Sequence, residues 1–359
     1  MLQITQGLTQ GLTDVERFIE TLKRLDQSEV TAARSLFGEQ SEIIVTRAPG
    51  NPRPDAYQPG RVPHHPHSSK VIAGMAFALV SLAFSSIFIT KLSAVPPLVI
   101  AFYRMAIATL LLAPAALAVK RKEIAKLARK DLLMLAAGGF FLALHFGAWI
   151  SSLKHIPIAT SVVLVNSHPL FVAIASYLFL GECPTRRSIA GTFVGLAGMI
   201  VISLDALMSN QQTARNALAG DALAIVGAIA VVGYFIIGRK ARARISLLGY
   251  VTPLYAVCSL FLLVWVIASG DALYPYSASE WAYFVALAVV PTILGHTVFN
   301  WAIKHVRPSA ISLTFLGEPV VAGLLAFIFF AQRPPLATFI GGALVLAGVY
   351  LTTSARQPT

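Results

Sequence analysis

Residues 154–201 of this chain recur, without a gap, at residues 304–351. Lys154-His155 falls on Lys304-His305, Pro169 on Pro319, Phe179 on Phe329, Pro184 on Pro334 and Gly191 on Gly341. Leu196-Ala197-Gly198 falls on Leu346-Ala347-Gly348. The repeated unit is apolar throughout, and several apolar runs in the chain reach about 20 residues, enough to cross a ~30 Å hydrocarbon core. A backbone in lipid must satisfy its own hydrogen bonds, which leaves helices for segments of this kind. Duplication inside a membrane makes transport the first functional expectation.

Composition agrees: 56% of the residues are apolar and 12% charged, against a charged fraction of about 25% in soluble domains. The spacing predicts ten helices, over 71–92, 97–119, 131–153, 157–181, 186–204, 219–238, 247–269, 281–303, 308–330 and 335–353, with 205–218 as the one longer connector and 355–359 as a tail. The expected fold is an all-α membrane bundle whose halves, 70–204 and 219–354, hold five helices each. The second half then enters the membrane from the opposite side, and the repeat is inverted.

The loop charges point the same way. Lys120, Arg121, Lys122, Lys126, Arg129, Lys130, Arg186, Arg187, Arg239, Lys240, Arg242, Arg244, Lys304 and Arg307 fall on one set of loops. The alternate loops carry Lys91, Lys154, Arg215 and Arg333. This bias places both termini in the cytoplasm of an inner-membrane protein. The net charge of +12 sits in those loops, so its expected partner is the anionic lipid surface and not nucleic acid.

Residues 1–69 are a different material, expected to form a cytoplasmic and largely disordered extension. A capping box at Thr13–Glu16 opens a short amphipathic pattern. Five prolines and His64, His65 and His67 then mark a linker, in which a solvated run is favoured over a metal site. The stretch VERFIETLKRL…SEIIVTRAPG resembles the opening of a sugar kinase of the galactokinase-type (GHMP) superfamily; that family's phosphate loop has no counterpart here. Cys183 and Cys258 make no disulfide framework, and no cofactor or metal is expected.

The order of ten helices is similar to the drug/metabolite transporter superfamily, in its EamA-type branch. The residues that carry the resemblance are Phe179-Leu180-Gly181-Glu182, Leu316-Gly317-Glu318-Pro319, the run Gly295-His296-Thr297-Val298-Phe299-Asn300-Trp301, and the Gly191/Gly198 and Gly341/Gly348 pairs. The chain departs from the family pattern at Phe330-Ala331-Gln332, where an LGE-like ending is usual, and at His168, where a small polar residue is common. The resemblance implies a transporter of small metabolites or drugs, not an enzyme.

Candidate functional residues are polar groups deep in apolar runs. Glu318 lies about ten residues into its helix, roughly 15 Å from either face, where an ionised carboxylate is costly unless paired or wetted. It reads either as a proton- or cation-binding group or as a packing acid bonded to freed backbone. His168 is its repeat counterpart, and Pro169 and Pro319 break the two helices at matching depth. His145 and His296 form a second pair with one residue of slippage. Trp149, Asn300 and Tyr234 are further cavity candidates, alongside Ser85-Ser86. Arg104 reads either as a clamp for a substrate carboxylate or as a snorkelling side chain.

The expected mechanism is alternating access with proton coupling and export of a small solute, by a monomer or homodimer. A facilitative or uptake permease of the same fold is the nearest alternative; a membrane-embedded enzyme or a scaffold is an alternative of another class. No Walker loop appears to supply nucleotide energy. A cysteine placed in the 120–130 loop is predicted to resist a membrane-impermeant maleimide in intact cells; labelling there would reverse the assigned orientation.

Overall fold

The structure, a computed structural model, describes residues 69–171, 185–207, 211–302, 314–315 and 317–353. The expectations for residues 1–68, and for Gly181, Glu182, Cys183, Lys304, His305 and Arg307, lie outside those residues. Every regular element among the described residues is helical. They are α1 (Ser69–Lys91), α2 (Pro97–Ala125), α3 (Arg129–Ser152), α4 (Ile158–Val165), α5 (Arg186–Leu207), α6 (Gln211–Arg242), α7 (Leu247–Ser269) and α8 (Ala278–Leu287). A π-helix, π1, follows over Ala288–Thr297, then α9 (Val298–Ala302), α10 (Glu318–Phe330) and α11 (Leu336–Thr353). Six helical segments are long and apolar enough to cross a membrane, with shorter apolar helices beside them.

Hydrogen bonds between loops sort the helix ends into two faces. Lys154 Nζ donates to the carbonyls of Leu92 and Ser93, at 3.1 and 2.7 Å. Gln332 Oε1 accepts from the Ile158 amide, and Tyr103 donates to the Leu273 carbonyl. Loops 92–96, 153–157, 270–277 and 331–335 therefore share one face. On the other face, Arg244 pairs with Asp131 at 2.8 Å and Glu123 accepts from the Ser246 amide at 2.7 Å. By that sorting α1 ends on the first face and α6 on the second, so equivalent helices of the two halves run in opposite directions. The inversion expected from the helix count is present in the chain's own contacts.

Packing follows the same exchange. The contact of α3 with α6 is matched by that of π1 with α1, and the contact of α4 with α6 by that of α10 with α1; α2 packs on its own counterpart α7, and α5 on α11. In the α5–α11 pair the glycines face one another. A Cβ added to Gly198 would lie 2.5 Å from the Gly341 carbonyl oxygen, and one added to Gly348 would lie 2.5 Å from that of Gly191. These two contacts are images of each other under the repeat. Helices in lipid have little hydrophobic drive to associate, so backbone approach through small residues supplies the dispersion contact. The glycine faces are spent inside the chain.

Two helices run well beyond their expected bounds. Helix α2 continues to Ala125, beyond 119, and α6 begins at Gln211, inside the expected 205–218 connector. Both extensions, KRKEIA and QQTARNALAG, hold good helix formers and few breakers, so the helix continues past its apolar part. The eighth span is not uniformly α-helical: its middle is the π-helix, in which Thr292 Oγ1 donates to the Leu287 carbonyl and Thr297 Oγ1 to that of Thr292, each five residues back.

The departure from an LGE-like ending at 330–332 has a structural reading. Ala331 closes α10 with φ 51°, in the left-handed region, where a Cβ costs roughly 1–2 kcal/mol. Gln332 meanwhile fixes the amide that opens α4. Ala331→Gly is predicted to stabilise the protein by about 0.5–1 kcal/mol, after the entropy glycine adds to the unfolded chain. Gly348→Val is predicted to destabilise it by about 1–3 kcal/mol through overpacking. Melting of the purified protein in detergent measures both.

Candidate functional site: a small central cavity

The fourth and ninth spans are interrupted at equivalent positions. Helix α4 stops at Val165, Asn166 and Ser167 turn, and helix resumes at His168. In the other half Gly317 turns and α10 starts at Glu318. Pro169 and Pro319 thus sit in the first turn of a new helix, where a missing amide hydrogen breaks no bond and φ is already correct. The prolines act as starts, not as kinks. The turn residues are held locally: Ser167 Oγ donates to the Leu164 carbonyl at 2.6 Å and Asn166 Nδ2 to that of Val162 at 3.0 Å. Glu318, in the first turn of α10, places a negative charge at the favourable end of the helix dipole.

Both breaks open onto one cavity of about 40 Å³, room for only a few water molecules by the volume one water needs. Its wall takes Leu82 and Ser85 from α1, Arg104 from α2, His145 and Trp149 from α3, Val231 and Phe235 from α6 and His296 from π1. Val165, Asn166 and His168 come from one break, and Phe315 and Glu318 from the other. Three repeat pairs appear among them: Ser85 with Phe235, Val165 with Phe315, and His168 with Glu318. The two halves supply equivalent positions and different chemistry.

Seven of the ten polar or aromatic residues singled out in the sequence meet here: Glu318, His168, His145, His296, Trp149, Arg104 and Ser85. Glu318 is buried, with the Asn166 side chain as its hydrogen-bonding neighbour. His168 Nδ1 faces the Val165 carbonyl at 3.3 Å, and its ring lies 5.3 Å from those of Phe235 and Phe315. His145 Nδ1 lies 2.9 Å from the Gly227 carbonyl. A carbonyl only accepts, so Nδ1 carries the hydrogen in that bond. The His145 ring stacks along Trp149, and His296 stands edge-on to Phe146 at 5.3 Å.

Arg104 does not snorkel. It is fully buried; Nε donates to Thr292 and a terminal nitrogen to Ser85, each at 2.8 Å. The guanidinium carbon lies 4.2 Å from the centre of the Phe146 ring, a cation–π distance.

Asn300 and Tyr234 are placed elsewhere. They bond each other, Asn300 Nδ2 to the Tyr234 hydroxyl at 2.5 Å, and Asn300 also donates to the His296 carbonyl. Neither lines the cavity. Both are buried and serve the joint between α6 and the eighth span, the commoner use of an amide inside a bundle. Ser86 likewise turns away, to the Ala83 carbonyl. Sequence reading passed over Asn166, Thr292 and Phe146. The polar pair Asn166-Ser167 inside VVLVNSHP was the available signal for the first; Thr292 carries none beyond its place after Pro291.

A larger hollow, about 800 Å³, lies between α4, α10 and α11. It is open and apolar, floored by Ala159, Gly323 and Gly342, with Arg333 at its margin. It gathers no convergent polar groups, so the small central cavity is the better candidate despite its size. Among the described residues no cluster of histidine, cysteine or carboxylate side chains could hold a metal ion.

Comparison with known proteins places this architecture. The model of the EamA-like transporter family matches twice, over residues 69–204 and 218–354. An uncharacterized transporter of Archaeoglobus fulgidus is 26% identical over 295 residues, 81% of this chain and 99% of its own length. The pseudopaline exporter CntI of Pseudomonas aeruginosa is 28% identical over 257 residues, covering 70% of this chain and 84% of that protein. A probable terminal-alkyne amino-acid exporter of Streptantibioticus cattleyicolor is 28% identical over 55% of this chain and 64% of its own. A crystal structure with 22% sequence identity superimposes with a TM-score of 0.57, over 79% of this chain and 97% of the other, and supports the fold. Two family matches in tandem span both halves of the repeat, and the chain belongs to the EamA-like transporter family.

Proposed function

We propose that this membrane transporter exports a small solute through the central cavity by alternating access, coupled to protons at Glu318. The observation that carries the reading is the pair of helix breaks at repeat-equivalent positions, facing one small cavity with His168 on one side and Glu318 on the other. An inverted repeat can exchange the conformations of its halves and so expose a midplane site to either side. The cavity is contracted, with room for only a few waters, which suits a stage of that cycle with no solute bound. Contacts between the two halves hold it at both faces: Tyr103 to Leu273 on one, Glu123 to Ser246 and Arg244 to Asp131 on the other.

Glu318 suits coupling because a carboxylate at this depth has few ways to exist. It carries charge only when a cation, a dipole or water compensates it, and otherwise holds a proton. An incoming proton and an outgoing solute can therefore compete for one group. Two relatives named as exporters support the outward direction.

The test uses everted vesicles or proteoliposomes with a labelled panel of amino acids, led by a terminal-alkyne amino acid. Glu318→Gln is predicted to lower accumulation driven by a pH gradient at least tenfold while retaining counterflow exchange. Unchanged pH dependence in that variant would remove Glu318 from the coupling role, and counterflow without any proton effect in the wild type would favour a facilitative permease. Tyr234→Phe is predicted to lower stability by about 1 kcal/mol, the net worth of one hydrogen bond, with transport affinity unchanged.

A further inference from the structure

Two buried donors on the cavity wall have no hydrogen-bond partner: the second terminal nitrogen of Arg104 (Nη2) and the indole Nε1 of Trp149. The other two nitrogens of the guanidinium each make one hydrogen bond. Nε and Nη1 are held by two hydroxyls supplied by different halves of the chain, Thr292 and Ser85. Phe146 covers the guanidinium at cation–π distance. None of the Arg104 hydrogen bonds goes to a carboxylate. Hydroxyls and a ring fix the position of the charge; Glu318 interacts with it electrostatically but leaves Nη2 without a hydrogen bond. Leaving a buried charged donor unpaired costs more than leaving a neutral one, and a buried cation is tolerated only when its remaining protons find acceptors. A guanidinium held along one edge, with Nη2 unpaired in a residue that lines a cavity, is a geometry that can receive a planar oxyanion.

We infer that Arg104 and Trp149 form the anchor for a carboxylate group of the transported solute. The inference rests on the central cavity being the transport site, and it names the chemical class that the site takes. Arg104 supplies the charge, Trp149 adds a neutral donor, and Ser85 and Thr292 are positioning residues that keep the fork aimed into the cavity. Glu318 lines the same cavity, so a solute with a carboxylate at one end and an amine at the other would meet an opposite charge at each. The repeat gives this anchor no twin: the positions equivalent to Arg104 and Thr292 are Leu254 and Leu142.

The test is equilibrium binding to the purified full chain in detergent, at one pH and with no gradient. It therefore stands apart from proton coupling. The probes are small solutes in matched pairs, each amino acid beside its primary carboxamide, with propargylglycine and phenylalanine included; thermal shift finds binders and calorimetry gives Kd. Ligands are expected only among the carboxylates, each at least tenfold tighter than its carboxamide. Arg104→Gln is expected to weaken carboxylate binding at least about thirtyfold, the penalty for cutting a buried charge pair, with Arg104→Lys intermediate. Trp149→Phe, which keeps an aromatic ring, is expected to weaken it about fivefold.

Carboxamides that bind as well as carboxylates would overturn the inference, as would a panel in which no carboxylate binds, or undiminished binding by Arg104→Gln. The wild-type pair comparison decides the matter even where Arg104→Gln does not fold. Carboxylate binding that survives Glu318→Gln while gradient-driven transport fails would separate the anchor from the coupling group.

Discussion

An unpaired peptide group in hydrocarbon costs several kcal/mol, and the rest of this structure depends on that penalty. A helix in lipid cannot stop partway unless protein receives the loose ends. This chain stops two helices partway, at Asn166-Ser167 and at Gly317, and both interruptions are enclosed by helices of the opposite half. The enclosure creates the cavity. Side chains that open a new helix line it, and a carboxyl, imidazoles and a guanidinium that no lipid-facing surface would tolerate collect there.

Much of this was legible in the sequence because membrane constraints are few and strict. Apolar runs marked the membrane helices, and the internal repeat with its alternating loop charge pointed to the inversion. A carboxylate beside a proline inside an apolar run marked Glu318, and the repeat led from there to His168. What could not be read was direction around each helix axis. Asn300 and Tyr234 lie as deep as His296, yet they turn toward the α6 joint; a rotation of about 100° per residue separates lining from packing. Arg104 was open between clamp and snorkel until Thr292 and Ser85, 188 and 19 residues away in sequence, were seen to hold it.

The two halves are equal in topology and unequal in chemistry. The one-residue slip between His145 and His296 falls in the π-helix, whose wider turn accommodates an additional residue while the flanking α-helical segments keep their register. The same π segment presents Thr292 to Arg104 and Thr297 to the Tyr255 hydroxyl. Its counterpart in α3 is α-helical throughout. The two halves are thus specialised differently, with the buried guanidinium in α2 and part of its support in the altered helix of the other half.

The glycine contacts of α5 with α11 have a mechanical meaning. Side chains between two helices can change rotamer and let the pair slide. Here peptide groups touch peptide groups across the repeat axis, at Gly198 with Gly341 and at Gly191 with Gly348, and no rotamer remains to give. That pair is a rigid spine, equally shared by the two halves. Any rearrangement that opens the cavity must leave the spine standing and be absorbed at the helix breaks, the π segment and the loops that bind the halves at each face.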